Sequence, residues 1–186
     1  MTRSKTILLT SLVLCLTLLT VSSAAADGTL RTRVDPRVAG VFIDGKYYGT
    51  AAMFSHHQAT IKLPEGNYKV KLVDPMHEDM TVDVGIVAGK ETTIRRQMKP
   101  LNLPPRKNLG ELETTNWGNS AIYLNGKYYA NANELDNPAY SLLLDAGSYD
   151  LKIVPVDGSA GREGKITINA NEILVLSKGK ADTQRK

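Results

Sequence analysis

With 186 residues, 42% hydrophobic and 23% charged, the chain has the make-up of a globular rather than a disordered protein, and room for one or two small domains. Its 23 Lys and Arg against 19 Asp and Glu include Arg3 and Lys5 of the first segment; the 21 against 19 that remain are dispersed, which is no footprint for nucleic acid. The single cysteine, Cys15, lies in that same segment, so no disulfide, thiolate catalyst or cysteine-based metal site is available beyond it.

The first segment reads as a signal peptide. MTRSK supplies a positive start, residues 7–21 supply 15 mostly apolar residues, and Ala24 and Ala26 stand three and one positions before a cut ahead of Asp27. An uncleaved anchor is the weaker reading, because about 20 apolar residues are needed to span a bilayer as a helix. Lipoprotein processing is weaker still, since Leu14 rather than a small residue precedes Cys15. The expectation is a signal peptide over 1–26 and an exported protein, periplasmic, surface-bound or released, with no membrane span after cleavage.

The following elements are strands. GTLRTRV opens the series, and VFIDGKYYG (41–49) has an apolar stretch, an Asp-Gly turn and two tyrosines. Asp-Gly and Asn-Gly are the strongest two-residue hairpin signals, because a type I′ turn needs positive φ at both central positions. ATIKLPEGNYKVKLVD alternates apolar and polar residues on both sides of Gly66, so each strand has a buried and a wet face. MTVDVGIVAGKETTIRRQM adds two strands around Ala88-Gly89-Lys90. KPLNLPPRKNLG follows, with Pro100, Pro104 and Pro105; prolines fix φ and lack a donor, which predicts a semi-rigid spacer.

Beyond the spacer the pattern returns. At a constant offset of 81, Gly45 meets Gly126, Lys46-Tyr47-Tyr48 meet Lys127-Tyr128-Tyr129, and Asp44 meets Asn125. Leu63, Gly66 and Tyr68 likewise fall on Leu144, Gly147 and Tyr149. This is a tandem duplication. Asp44, Gly45, Gly66, Asn125, Gly126 and Gly147 are the predicted structural turns. GELETTN opens the second copy and GKITINANEILVL closes it, with a register that drifts by about a residue. The predicted fold is all-β: two tandem small antiparallel β-sandwich domains over 27–99 and 109–178, a proline-rich linker over 100–108, and a basic disordered tail over 179–186. Copies of this size hold a barely sufficient core, so packing together would help both.

The stretch DPRVAGVFIDGKYYGT (35–50) resembles the PEGA domain. Pro36, Ala39, Asp44, Gly45, Gly49 and Thr50 stand at the family's positions, while Arg37-Val38 replace its Glu-Gly and Ala51 its later proline. The second copy departs further, with Trp117 in the proline position and Ala130-Asn131 at the corner. The resemblance implies a small β-sandwich on exported or cell-envelope proteins and brings no catalytic residues.

Other chemistry finds little support. GIVAGKET has three residues between Gly85 and Gly89 where a phosphate loop needs four, and Glu91 where Ser or Thr belongs. The glycine-bearing DGSAGREGK reads as a flexible connecting loop. His56 and His57 with His77 are a conceivable zinc set, though a solvated loop is the simpler reading. No Gly-x-Ser-x-Gly elbow occurs. The expectation is no enzyme, no cofactor and no metal. Consecutive strand residues face opposite ways, so one of Tyr47 and Tyr48, and one of Tyr128 and Tyr129, is expected in a core and the other exposed. With Lys46 and Lys127 these tyrosines are the candidate ligand-binding residues. The reading is a non-catalytic binding or scaffolding protein of the cell envelope, whose partner is an envelope glycan or another envelope protein. The alternative is a carbohydrate-binding accessory module using exposed hairpin tyrosines.

Overall fold

The computed structural model describes residues 26–137 and 139–186; apart from Ala26, the predicted signal segment lies outside them. Seven strands come first: β1 (Asp27–Asp35), β2 (Gly40–Ile43), β3 (Lys46–Thr50), β4 (Ile61–Pro64), β5 (Gly66–Val73), β6 (Met80–Ile86) and β7 (Glu91–Gln97). The second series is β8 (Leu109–Thr115), β9 (Ser120–Leu124), β10 (Lys127–Asn131), β11 (Leu142–Asp145), β12 (Gly147–Pro155), β13 (Arg162–Ile168) and β14 (Ile173–Ser177), followed by β15 (Thr183–Arg185). Among the described residues, a single turn of 3₁₀ helix (Ala51–Phe54) and one short α-helix, α1 (Ala132–Leu135), are all that interrupt the strands, at the same corner of each copy.

Each copy is a two-sheet sandwich. In the first, β4-β1-β7 faces β3-β2-β5-β6; in the second, β11-β8-β14-β15 faces β10-β9-β12-β13. Neighbours run antiparallel except β1 with β7 and β8 with β14, which are parallel. The parallel pair arises because the first and last of the seven strands lie side by side after the chain has crossed between the sheets. The turns at Gly66 and Gly89 are therefore crossings from one sheet to the other rather than hairpins.

Alternation drives the packing. Leu30, Thr32 and Val34 of β1 face inward with Ile61 and Leu63 of β4 and Val70 and Leu72 of β5. Leu112, Leu144, Leu151 and Ile153 do the same in the second copy. Full burial of such a side chain is worth about 1.5–3 kcal/mol. The duplication extends to the polar details. Thr32 Oγ1 donates to Ala51 O at 2.8 Å and Thr114 Oγ1 to Ala132 O at 2.6 Å; Tyr68 Oη donates to Pro64 O at 2.9 Å and Tyr149 Oη to Asp145 O at 2.8 Å. The hairpins correspond at an offset of 81 and the closing strands at 82, the one-residue drift expected there from the sequence; the opening strands are offset by 82 as well.

The tail differs from the disorder expected of it. Thr183–Arg185 forms β15, antiparallel to β14, with Val175 opposite Thr183 and Ile173 opposite Arg185. Two ion pairs hold it: Arg162 Nη1 lies 2.6 Å from Asp182 Oδ1, and the Arg185 guanidinium reaches the Glu113 carboxylate, on a residue only 7% exposed. The Arg162 guanidinium holds the Asp182 carboxyl below its ordinary range. Composition suggests a solvated tail because the partners of Asp182 and Arg185, namely Arg162 and Glu113, lie 20 and 72 residues away along the chain. Arg162 also ends the DGSAGREGK loop by starting β13.

Candidate functional site

The two hairpins come first, because their turns aim the Lys-Tyr-Tyr segments. Asp44 and Gly45 have φ of 47° and 83°, Asn125 and Gly126 of 49° and 77°, the positive pair a type I′ turn requires. Each turn is also tied to the neighbouring strand: Lys69 N donates to Asp44 Oδ1 at 2.9 Å, and Asp150 N to Asn125 Oδ1 at 2.9 Å. The side chain at the first turn position thus does the same work in both copies, which is why Asp and Asn interchange there.

These hairpins meet. Tyr47 and Tyr128 are 7% and 5% exposed and, with Phe42 and Ala121, form a third apolar cluster, between the sandwiches. The Tyr47 and Tyr128 rings lie 5.3 Å apart and tilted, and Phe42 meets Tyr128 edge-on at 5.5 Å. Tyr47 Oη and Tyr128 Oη are 3.2 Å apart, and Asn131 Nδ2 donates to Tyr47 Oη at 2.8 Å and to Asn119 Oδ1 at 2.6 Å. Asn119 Nδ2 donates in turn to Tyr48 O at 3.0 Å. Burial, above all, pushes both phenols well above their ordinary range and keeps them neutral. Gly40 makes the approach possible: a Cβ there would sit 2.7 Å from Tyr128 Cζ, inside contact distance.

The expected split of each tyrosine pair into core and exposed members is not what the structure shows. Tyr47 and Tyr128 are covered by the other sandwich, while Tyr48 and Tyr129 are half-buried against their own cores. The physical reason is that the outward face of each hairpin is itself an interface. Lys46 and Lys127 stay exposed, Lys46 with its ammonium 5.6 Å from the centre of the Tyr48 ring.

Beside the joint lies a cleft of about 1010 Å³. Phe42, Tyr123 and Tyr128 line it with Lys71 of β5, Arg106 of the spacer and the Lys127–Tyr129 segment. The spacer is pinned there: Leu101 N donates to Met76 O at 2.9 Å and Arg106 Nη1 to Leu143 O at 2.7 Å. The structure therefore brings Asp44, Gly45, Gly126, Lys127, Tyr128 and Tyr129 together in one cleft and leaves Lys46, Tyr47 and Tyr48 outside its lining.

The joint residues Phe42, Asn119, Tyr123 and Asn131 escaped the sequence reading. A signal was present: β2, GVFI, is apolar at every position and buried on both faces, the mark of a strand covered twice. The histidines do not converge. His57 bridges Arg31 Nη1 at 2.7 Å and Glu91 Oε2 at 2.9 Å, whereas His77 sits at the other end beside Asp74 Oδ1 at 2.6 Å. Among the described residues, no group of three His, Cys, Asp or Glu side chains is placed to hold a metal ion, and no helix is long and apolar enough to cross a membrane.

The architecture is that of two linked sandwiches with a shared aromatic joint, and sequence comparison finds a family match over the first of them. Residues 27–102 match the model of the PEGA domain, which is not a catalytic family. Among solved structures the chain is similar to the Bacillus anthracis TIE protein, with 15% identity and a TM-score of 0.29 over 84% of this chain and 34% of that one. The chain thus spans about a third of that protein's length. No curated protein matches the sequence.

Proposed function

We propose that the chain is a non-catalytic, exported binding and scaffolding protein of the cell envelope. In this reading a signal peptide over 1–26 is removed, and domains over 27–99 and 109–178 act as one body across the linker at 100–108. The observation that carries it is the joint: two copies of one module are fastened through Tyr47, Tyr128 and Asn131 so that their hairpins border a common cleft. A fixed pair of modules suits holding a partner better than turning over a substrate. The exposed Lys46 and Lys127 are the proposed outer contacts, with Tyr48 and Tyr129 beside them and Tyr47 and Tyr128 as the buried base. The test is retention on isolated cell envelopes. The double variant Lys46→Glu, Lys127→Glu should lose at least fivefold in retention with an unchanged denaturation midpoint. Equal retention of variant and parent would reject the hairpins as the contact.

A carbohydrate-binding reading is favoured by one observation, the half-buried Tyr123 and Tyr129 in the cleft lining. Aromatic faces there would stack on sugar rings while Lys71, Arg106 and Lys127 bond hydroxyls. Titration with soluble peptidoglycan disaccharide fragments distinguishes the two readings. Saturable perturbation of the Tyr123 and Tyr129 ring resonances supports the sugar, and none removes it.

A further inference from the structure

The two sandwiches differ at one place that the duplication makes conspicuous. In the second, β14 has a neighbour on each side, β8 and β15; in the first, no strand among the described residues pairs with the outer side of β7. Backbone direction shows which groups are left over. Lys90 O accepts from Thr29 N at 2.9 Å and Met98 N donates to Asp35 O at 2.8 Å, so the even-numbered amides of β7 serve β1 and the odd ones, Thr93 and Arg95 among them, point outward. The residues facing β15 in the second copy, Ile173 and Val175, are the counterparts of Glu91 and Thr93, and Arg95 corresponds to Ser177, just past the end of that pairing. Arg96 Nη1 donates to Arg95 O at 2.8 Å, so a side chain caps the outward carbonyl at the end of this edge.

The charge around this edge differs between the copies: Glu91 of β7 is taken up by Arg31 at 3.0 Å, and the outer face beyond it is basic. Arg33 and Arg95 are direct partners across β1 and β7, both exposed and on the same outer face. Like charges placed opposite each other destabilise a sheet. The equivalent pair in the second copy is Thr115 and Ser177, so the fold does not need the arginines. Buried Arg31 likewise stands where the second copy has Glu113, the acid that receives Arg185 of β15. Charged residues on an edge strand often only guard against aggregation. Arg33 is not on the edge strand, however, and among the described residues neither it, Arg95 nor Arg96 has an acidic partner within 4.0 Å.

We infer that the outer edge of β7 is a docking site for an extended, acidic polypeptide segment of another protein, which adds as a strand where β15 adds in the second copy. Main-chain hydrogen bonds to the outward amides would supply affinity, and acidic side chains on alternate positions would meet Arg33 and Arg95. A second molecule's own tail is excluded as the occupant by charge, since Lys178, Lys180, Arg185 and Lys186 would face the same arginines.

The test uses the purified protein and a fluorescent eight-residue peptide of alternating Glu and Val. The peptide should bind saturably, and its Lys-for-Glu counterpart should not. Methylating its alternate amide nitrogens, which removes the ladder while keeping every charge, should weaken binding at least tenfold. The variant Arg33→Thr, Arg95→Ser, which installs the second copy's residues, should do the same with its melting temperature unchanged. Hydrogen exchange at Thr93 and Arg95 should slow on binding. Equal binding of the methylated peptide, no binding of the acidic one, or an unaltered affinity in the double variant would each overturn the proposal. Polygalacturonate binding as tightly as the peptide would also overturn it, in favour of an anionic polysaccharide.

Discussion

Tyr47 and Tyr128 hold the same position in the two copies, 81 residues apart, and their hydroxyls lie 3.2 Å from each other. Phe42 and Tyr123, equivalent in the same way, stand beside them, as do Gly40 and Ala121. The joint is therefore nearly self-complementary, built like an isologous dimer interface although one chain supplies both halves. The small residues at 40 and 121 give the rings room, and the hydroxyls give the contact its polar register.

Removing single hydroxyls should expose an asymmetry in that joint. Tyr47→Phe loses the bond from Asn131 as well as the one shared with Tyr128, and an unsatisfied buried partner costs about 1–3 kcal/mol. Tyr128→Phe loses only the shared bond, about 1 kcal/mol. The double variant should cost less than the sum, because the two share one interaction. Chemical denaturation of the four proteins checks this; strictly additive losses would mean that the hydroxyls do not interact in solution.

Alkaline pH should loosen the joint. Burial raises the folded-state pKa of Tyr47, Tyr128 and, to a lesser degree, Tyr123. An unfolded tyrosine releases its proton near pH ~10, so above that pH the folded chain binds more protons and stability falls as pH rises. Melting temperature followed from pH 8 upward, on about this scale, should decline beyond 10, and the decline should be shallower in the Tyr47→Phe, Tyr128→Phe double variant. A flat profile in the parent protein would contradict the burial of these phenols.

Gly45 tests the hairpin itself. Its φ of 83° lies where β-branched side chains clash with their own backbone, while nothing else stands within 4 Å of a Cβ at that position. Gly45→Val should therefore cost more than the typical point-mutant loss of about 1 kcal/mol and Gly45→Asn distinctly less, since Asn visits this region. Identical denaturation midpoints for the two variants would speak against the turn.

The C-terminal strand makes a further expectation. Arg185→Ala strands the nearly buried Glu113 carboxylate and should cost about 1.5–3 kcal/mol, the range for a hydrogen bond to a charged group. Adding Glu113→Gln should recover part of the loss. If Arg185→Ala is neutral, β15 contributes nothing to the second sandwich.

Much of this fold could be read in advance because its signals are local. Asp44-Gly45 and Asn125-Gly126 demand their turn whatever surrounds them, and the alternation of Tyr68, Val70 and Leu72 marks a strand with one inner face. The joint was illegible for the opposite reason. Tyr47 and Tyr48 look equivalent along the chain, and which of them meets the second sandwich depends on an approach that Gly40 permits from another strand. The role of Arg185 was hidden likewise, since its partner Glu113 is 72 residues away. The hairpin segments were thus visible in the sequence, while the exposure expected of the tyrosines differs from that in the structure.

Because the joint is made of like halves, it does not specify which chain must provide each half. The first module of one molecule presents to the second module of another the same rings that it presents to its own. Intramolecular closure prevails in dilute solution, where the spacer keeps the local concentration of the tethered module at about millimolar. At higher protein concentration, molecules are expected to open and clasp one another in succession, giving a chain of alternating links. Light scattering against protein concentration tests this: mass should rise above about millimolar, and should rise less when Gly40→Val blocks the seat of Tyr128. Growth unaffected by that substitution would place the association elsewhere.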